Sequence, residues 1–479
     1  MQRIAMLTTA LLLVVGLAWM SSSEARLKSP SSASAACDDE NLPREASFRP
    51  RSVASFAMAE VSPVAPGGCR GASLETADAA TAMPNSAREN PAPVAAAPPG
   101  PVAEKGLAYL ANQQLTSGGW GQGGGWRTAA QGGRIQSGHQ GYQDAADVAN
   151  TAIATLALIR GGSTPTSGPY AEQVRAGINF VLASIESSDD ESLFVTEVRG
   201  TQLQSKIGVY VDTFLANLLL AEVRGQMAGP GAEARLEAGL ARVVAKIEQH
   251  QRDDGTFAAN QGWASVLSTS IANKALTRSR QAGAAVSDEA LEKIARQASE
   301  GYDEARGDFR DGDSYGTSAG VKLYKDGAGL AALDDLSKTD SKEALEARRV
   351  LASEASAEEK RRASSKLERL EQTKQKKERA LSTMAAQLSD RAFVAGFGSS
   401  GGEEYLSYMN ISEALATQGG EPWEEWNGRV SDSLAEAQNG DGSWSGHHCI
   451  TGRTFVTASA LLTLMADRAP RPLAAEVQG

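Results

Sequence analysis

The sequence predicts an all-α protein built from repeated helical hairpins. The 479-residue chain is rich in Ala, Gly and Glu and only 5% aromatic, with scattered β-branched residues, which favours helix over sheet. From residue 102 onward, amphipathic segments alternate with segments that are apolar or small on nearly every side. A Gly-rich turn of fixed spacing follows several of the amphipathic segments. Together these observations indicate a helical repeat protein.

The two kinds of helix predict two layers arranged in a ring. Segments such as 148–159 and 455–465 have no polar side and must be buried, so we expect them inside a layer of amphipathic helices. An open solenoid would need polar capping repeats, whereas here the first and last units are the most regular. We therefore predict a closed ring of about six hairpins. Repeats 1–4 cover 102–336, repeats 5 and 6 cover 391–470, and a tail covers 471–479.

The N-terminal region predicts export. Residues 1–25 contain Arg3, an apolar run over 4–20 and then small residues suited to cleavage, which is typical of a signal peptide. An uncleaved anchor that tethers the protein to the inner membrane is the alternative, because the run approaches a membrane span in length. We thus predict a periplasmic or extracellular protein. Residues 26–101 are rich in Ala, Pro and Ser and predict a disordered linker. Cys37 and Cys69 lie in it, either paired or as separate thiols.

A charged insertion separates repeats 4 and 5. Residues 337–390 contain no Gly or Pro and predict a long helix or helical hairpin, part of which serves as the fifth outer helix. Lys374 and Lys377 interrupt its apolar seam. The segment is therefore either a solvated arm or a coiled coil for a helical partner. The apolar seam residues are Leu367, Leu370, Leu381, Met384 and Leu388.

The recurring turn is the most specific motif in the chain. It reads Gln, three residues, Gly, one residue and an aromatic residue, always at the same point of the helical unit. Gly permits the turn after an outer helix, the aromatic ring can pack between repeats, and the Gln amide can satisfy backbone groups at helix ends. We interpret these residues as structural. The three copies begin and end at Gln114 and Trp120, Gln251 and Phe257, and Gln438 and Trp444.

These turns resemble the QW repeats of squalene and oxidosqualene cyclases. From about 102 to 469, without the insertion, the chain resembles exported bacterial proteins with prenyltransferase and squalene-oxidase repeats. The resemblance implies an α/α toroid of about six hairpins, the fold shared by terpenoid cyclases and protein prenyltransferase β-subunits. It also implies that the turns are structural.

The chemistry of that superfamily is only partly represented. Triterpene cyclases use an Asp-x-Asp-Asp acid motif, which this sequence lacks, and aromatic residues that stabilise cations are few. Protein prenyltransferases need zinc held by Asp, Cys and His, an α-subunit and an isoprenoid diphosphate, which suits an exported single chain badly. The nearest acidic stretches are Asp189–Asp190, Asp334–Asp335 and Asp311–Asp313.

Closing the ring would bring soft-ligand side chains together at the seam between repeats 1 and 6. The loop before the last inner helix and the loop before the first would then be neighbours. His, Cys and Asp are zinc ligands, so zinc is one hypothesis. Cys449 as a nucleophile with His447 or His448 as its base is another. The alternative is structural, with loop hydrogen bonds, a buried thiol and helix caps from Asp144 and Asp147. The candidate metal ligands are His139, Asp144, His447, His448 and Cys449.

Two adjacent carboxylates open the fifth inner helix. Glu403 and Glu404 lie beside Tyr405 and Tyr408, so they are candidate acid–base residues at the mouth of a cavity. Carboxylates in a first helical turn are also favoured by the helix dipole, which gives a structural explanation.

These features predict an exported binding or scaffold module with a hydrophobic, isoprenoid or peptide ligand in a central cavity. A net charge of −11 without a basic stripe argues against nucleic acid, and only the N-terminal segment would contact a membrane. The alternative is an enzyme, either of the prenyltransferase and terpenoid cyclase class or zinc-dependent at the seam. A polysaccharide lyase or hydrolase is weaker, because no carboxylate pair has a defined separation.

Overall fold

A computed structural model describes residues 96–126, 134–135, 144–260, 262, 264–310, 319–390, 401–446 and 449–470. Within these residues the protein is mostly helical, with two short strand pairs, which confirms the all-α prediction. The predicted signal peptide, nearly all of the predicted disordered linker and the tail lie outside the described residues. No helix in the described ranges is both long and apolar enough to cross a membrane.

One set of helices is buried on nearly every side, and we call these the inner helices. Their residues are small or apolar over whole turns, as in VANTAIATLALIR, so each must be enclosed by other helices. Asp147 caps the first inner helix by accepting a hydrogen bond from the Asn150 backbone N–H at 2.8 Å. The inner helices are α2 (Val148–Arg160), α5 (Val211–Val223), α7 (Ser265–Gln281), the first part of α9 (Ala319–Ala352), α11 (Glu404–Gln418) and α13 (Arg453–Leu464).

The second set is amphipathic and exposes one face to solvent, and we call these the outer helices. Three of them start with Pro in the first turn, where no intrahelical N–H bond is lost. A short helix, α4 (Gln202–Lys206), lies between α3 and α5. The outer helices are α1 (Pro101–Asn112), α3 (Ala171–Ser187), α6 (Pro230–His250), α8 (Asp288–Gly301) and α12 (Glu421–Ala437).

The inner helices contact one another in a closed order. Helix α2 packs against α5, α5 against α7, α7 against α9, α9 against α11, α11 against α13, and α13 against α2. The outer helix α1 packs against both α13 and α2, so the first repeat adjoins the last. Two antiparallel strand pairs lie in the connections from α1 to α2 and from α8 to α9. They join β1 (Gly125–Trp126) to β2 (Arg134–Ile135) and β3 (Tyr302–Asp303) to β4 (Asp308–Phe309).

The predicted insertion forms two long helices. The inner helix α9 continues without a break through residue 337 to Ala352, and α10 (Ala357–Ser389) runs back along it. A Ser356–Glu359 capping box starts α10. The apolar residues near its C-terminal end, Leu381, Met384 and Leu388, are buried in the core, whereas Leu367 and Leu370 are only half-buried. Three of the five apolar seam residues therefore pack on the core, and the other two lie on the more exposed N-terminal half of α10.

The tryptophans of the first and last turns contact both the preceding outer helix and the following inner helix. Their backbone N–H groups donate to Thr151 Oγ1 and Thr457 Oγ1 in the inner helices, each at 2.9 Å. The Trp120 indole N–H donates to the Leu110 carbonyl at 2.7 Å, and that of Trp444 donates to the Leu434 carbonyl at 2.8 Å. Both rings are fully buried. A Cβ added at Gly106 would lie 2.8 Å from the Trp444 ring, so this glycine lets the last repeat pack on the first.

The glutamines of the same two turns reach the next outer helix. The Gln114 amide donates to the Gln173 carbonyl in α3 at 2.9 Å, and the Gln438 amide donates to the Val102 carbonyl in α1 at 2.9 Å. The middle copy differs, because neither side-chain polar atom of Gln251 has a hydrogen-bond partner. The predicted role of the glutamine in satisfying backbone groups is therefore wrong for Gln251, whose turn also carries Phe257 in place of Trp.

The start of the described chain departs from the predicted linker boundary. Residue 101 is already helical, and Ala97 is fixed to the C-terminal 3₁₀ helix Ala466–Arg468. The Ala97 N–H donates to Asp467 Oδ2 at 2.8 Å, and Arg468 Nη1 donates to the Ala97 carbonyl at 2.7 Å.

Candidate functional site

The first turns of α2 and α5 lie together at one end of the bundle, which we call the mouth. The last turns of α2, α7 and α11 lie together at the opposite end, which we call the base. At the mouth, Asp147 and Asp212 are buried at the start of α2 and α5. Asp212 accepts hydrogen bonds from the Ala149 N–H at 3.0 Å and from the Gln204 amide at 2.7 Å. Burial and the nearby Asp212 carboxylate raise the pKa of Asp147 to about 8. Burial likewise raises the pKa of Asp212. Asp147 therefore retains its proton at neutral pH.

Asp144 does not cap α2, contrary to the structural alternative. Its carboxylate accepts backbone hydrogen bonds from Gln122, Gly123 and Gly124 at 3.0, 2.5 and 3.0 Å. The loop of consecutive N–H groups forms an anion-binding concavity that Asp144 itself fills. Metal binding by Asp144 would have to compete with these three donors.

Side chains from three repeats meet next to this loop. The Thr454 N–H donates to the Gln122 carbonyl at 3.2 Å, so repeats 1 and 6 are joined at the seam. The Gln202 N–H donates to Gln122 Oε1 at 3.2 Å, and its side-chain amide donates to the Cys449 carbonyl. The Thr451 N–H donates to Gln202 Oε1 at 3.2 Å. These contacts hold the loop that precedes α13 against the first repeat.

Cys449 is a buried thiol on a strained part of that loop. Its φ is 52°, an unusual value for a residue with a Cβ, and the Gln202 contact to its carbonyl helps to hold it. His139, His447 and His448 lie outside the described residues. Among the described residues, no group of three His, Cys, Asp or Glu side chains is arranged to hold a metal ion. Zinc at the seam therefore stays a prediction.

Glu403 and Glu404 are both buried at the mouth, but in different surroundings. Glu404 accepts a hydrogen bond from the Tyr408 hydroxyl at 2.8 Å. Glu403 is fully buried, and no hydrogen bond of good geometry reaches either of its carboxylate oxygens, although the backbone N–H groups of Glu403 and Ile450 are close enough to lower its pKa. Burial, together with the Glu404 carboxylate, raises the pKa of Glu403 to about 8, against the opposing effect of Lys206. Glu403 is therefore protonated at neutral pH and can take part in proton transfer.

The base contains a buried ion network that the sequence interpretation missed. Glu413 on α11 lies 2.7 Å from Lys274 Nζ, 3.0 Å from Arg160 Nη1 and 3.4 Å from Arg278 Nη2. Burial favours the neutral acid, but the three cations outweigh it and hold the pKa of Glu413 well below its usual value. This carboxylate is ionised at every physiological pH.

The network extends through α9 to the insertion. Asp335 lies 3.1 Å from Lys274 Nζ and 3.3 Å from Arg278 Nη2, and Asp334 lies 2.5 Å from Lys338 Nζ. Asp334 also lies 2.9 Å from Nζ of Lys377 on α10, at the edge of the network. Asp334 and Asp335 are thus structural anions rather than a remnant of an acid motif. Charged residues inside helices that are otherwise apolar were the sequence signal for this cluster, because such charges must be paired.

The axis between mouth and base is filled with side chains. The cavity along it has a volume of only about 10 Å³, space for about one water molecule. Pockets for small ligands in proteins typically span about 300–1,000 Å³. This cavity, as the described residues line it, is too small for an isoprenoid. The cavity is lined by Ile153, Leu156, Leu215, Leu218, Leu267, Ile271, Lys274, Leu406, Met409, Asn410 and Leu462.

The chemistry available in the described residues is thus concentrated at the mouth. The pKa values of Glu403 and Asp147 are raised to about 8 and that of Asp212 is also raised by burial, whereas cations neutralise the carboxylates at the base. Comparisons with protein-family models, with curated proteins and with solved structures each found no match.

Proposed function

We propose that this protein is an exported α/α toroid that acts as a non-catalytic binding scaffold. The narrow axis carries the proposal, because the cavity of about 10 Å³ that the described residues line there is too small for a ligand, which directs binding to the outer surfaces. The closed order of inner-helix contacts and the repeated Gln and Trp contacts support the toroid and its kinship with QW-repeat proteins. The N-terminal apolar run supports export, with retention of that run as an inner-membrane tether as the alternative.

The test of this proposal is to add to the protein the substrates of the enzymes that its sequence resembles. We expect squalene and farnesyl diphosphate to show neither saturable binding nor turnover when they are added to the full chain. Leu406→Ala serves as a positive control, because removing a buried side chain on the axis creates a cavity for a small apolar probe such as benzene. Saturable binding or turnover of either isoprenoid by the unmodified protein would show that the scaffold proposal is wrong.

A second candidate function is acid–base catalysis at the mouth. A buried carboxyl group without a hydrogen bond of good geometry, with a pKa raised to about 8 by burial, is typical of catalytic acids. If the isoprenoid assay detects turnover, Glu403→Gln should abolish it while Glu404→Gln reduces it less. Turnover that is insensitive to Glu403→Gln would exclude Glu403 as the catalytic acid.

A further inference from the structure

Three helices outside the ring of inner helices enclose a large groove, which we call the arm groove. Its floor is the part of α9 that continues into the insertion, and its walls are the outer helix α8 and the returning helix α10. The groove has a volume of about 1,400 Å³. Helices α8 and α10 both pack on α9, and the groove lies between them. This volume exceeds that of ordinary small-molecule pockets, so the groove suits a larger occupant.

The lining residues recur at helical spacing on all three helices. On α8 they include Leu291, Ala295 and Ser299, four residues apart, and on α9 they include Ala347 and Val350. Each helix thus presents one stripe to the groove, with small residues that allow another helix to approach closely. Three parallel or antiparallel helices around a common groove lack one member of a four-helix bundle. The stripe on α10 consists of Ala363, Lys366, Leu370 and Thr373.

The two walls of the arm groove carry opposite charge. Acidic side chains predominate on the α8 wall, where Asp288, Glu292 and Glu300 stand against Arg296, and basic side chains predominate on the α10 wall, whose lining includes one acid, Glu359. The α9 floor adds Glu343 and Glu346. Two polar contacts join the walls. The Lys376 ammonium donates to the Ser299 hydroxyl at 2.5 Å, and an ion pair joins Arg369 Nη1 to Glu292 Oε1 at 3.5 Å, with these side chains 60% and 55% exposed. An ion pair so exposed contributes little to stability and can be replaced by charges on an incoming chain. The basic residues are Arg361, Arg362, Lys366, Arg369 and Lys376.

We propose that the arm groove binds an amphipathic helix of a partner protein. Such a helix would place a narrow apolar stripe on α9, basic residues along its edge beside α8 and acidic residues along its edge beside α10. Shape and charge favour this occupant together, because only a helix with two unlike edges complements both walls. The inference rests on the proposed scaffold function and assigns its binding surface.

The test uses synthetic helical peptides of about 20 residues, roughly 30 Å long. The first peptide has a Leu and Ala stripe with Lys along one edge and Glu along the other. The second has the same stripe with Lys along both edges. We expect fluorescence anisotropy with the full chain to show binding of the first peptide, and binding of the second that is weaker by about tenfold or more. No binding of the first peptide, or equal binding of both, would overturn the proposal.

A matched pair of variants locates the binding surface. Arg369→Glu should weaken binding of the mixed-edge peptide by about tenfold, because it gives the basic wall an opposing charge. Arg379→Glu, the same change on an exposed part of α10 outside the groove, should leave binding unchanged. Equal effects of the two variants would overturn the proposal. So would a concentration-dependent dimer that Arg369→Glu dissociates, since a second copy would then occupy the groove.

These results are separable from the isoprenoid assay. If neither the helical peptides nor the isoprenoids bind, this inference is wrong and the scaffold function still stands. Isoprenoid turnover would remove the scaffold function whatever the peptides do. Circular dichroism of Arg369→Glu should match that of the unmodified protein, because the altered side chain is 60% exposed.

Discussion

The pKa values of buried acids are shifted in opposite directions at the mouth and at the base of the inner helices. Glu403 directly precedes helix α11, and Glu413 lies within it, ten residues later and about 15 Å along the helix axis. Both side chains are buried. The pKa of Glu403 is raised to about 8, whereas that of Glu413 lies well below its usual value. Burial is common to the two, so the difference comes from the three cations around Glu413. Neighbouring charge, rather than depth, decides the protonation of these acids.

The helix dipoles do not cause this contrast. The last turns of α2 and α7 carry partial negative charge at the base, which favours the cations Arg160 and Arg278 placed there. The first turns at the mouth carry partial positive charge, which by itself would lower the pKa of an acid, so burial is what raises the pKa of Glu403 and Asp147. The base therefore holds a nearly neutral, rigid cluster, and the mouth holds acids that can exchange protons.

The largest expected effect comes from breaking the base. Glu413→Gln leaves Lys274, Arg278 and Arg160 with less negative charge in a dry interior, and it should lower the free energy of unfolding by about 3–5 kcal/mol at pH 7. Urea denaturation measures this change. As a control, Glu425→Gln removes a solvent-exposed partner of Arg429 and should cost at most about 1 kcal/mol. Similar costs for the two variants would contradict the assignment of a buried network.

The opposite change is expected at the mouth. Because the pKa of Glu403 is raised in the folded state, the folded protein binds this proton more tightly than the unfolded chain does. The contribution of Glu403 to stability is thus greatest below the unfolded pKa and is lost as the pH rises towards 8. Glu403→Gln should raise the free energy of unfolding by about 3 kcal/mol at pH 7 and hardly change it at pH 4.

The neighbouring acid provides the control for this pH dependence. Glu404→Gln should give no comparable gain at pH 7, because the Glu404 carboxylate already accepts a hydrogen bond from Tyr408. Urea denaturation of both variants at pH 4 and pH 7 makes the comparison. A gain for Glu403→Gln that is the same at the two pH values would contradict a raised pKa.

The smallest expected effect lies at the edge of the base network. Lys377 is 14% exposed and lies 2.9 Å from Asp334, so Lys377→Met should lower the free energy of unfolding by about 1–2 kcal/mol. Lys374→Met, on the same helix at a position 55% exposed, should change it by at most about 0.5 kcal/mol. If thermal or urea unfolding shows that the two substitutions lower the free energy of unfolding equally, α10 is not coupled to the base through Asp334.

Much of the helical framework was predictable, because its signals are local. The alternation of amphipathic and all-apolar segments predicted outer and inner helices, and the recurring turn predicted the burial of Trp120 and Trp444. The sequence pattern failed where identical motifs meet different neighbours. Gln114 and Gln438 find carbonyl partners in the next outer helix, whereas Gln251 does not. The motif specifies a turn, but the partner belongs to another repeat.

The candidate site was less predictable. Asp144 and Asp147 are three residues apart and both precede α2, yet one fills a loop of backbone N–H groups and the other caps the helix. The central cavity expected from the ring is filled by large apolar side chains such as Leu156, Leu218 and Leu406. Sequence periodicity predicts that these residues are buried, but it does not give the diameter of the space into which they point.

The sequence by itself determined which segments are helical, which helices are buried and where the turns between them lie, because these properties depend on residues close together in the chain. Only the tertiary structure decided which buried acids have counter-ions and whether the axis is open. Glu403 and Glu413 are the same residue type in the same helical environment by sequence. They differ because Lys274, Arg160 and Arg278, more than a hundred residues away in the chain, surround one of them and not the other.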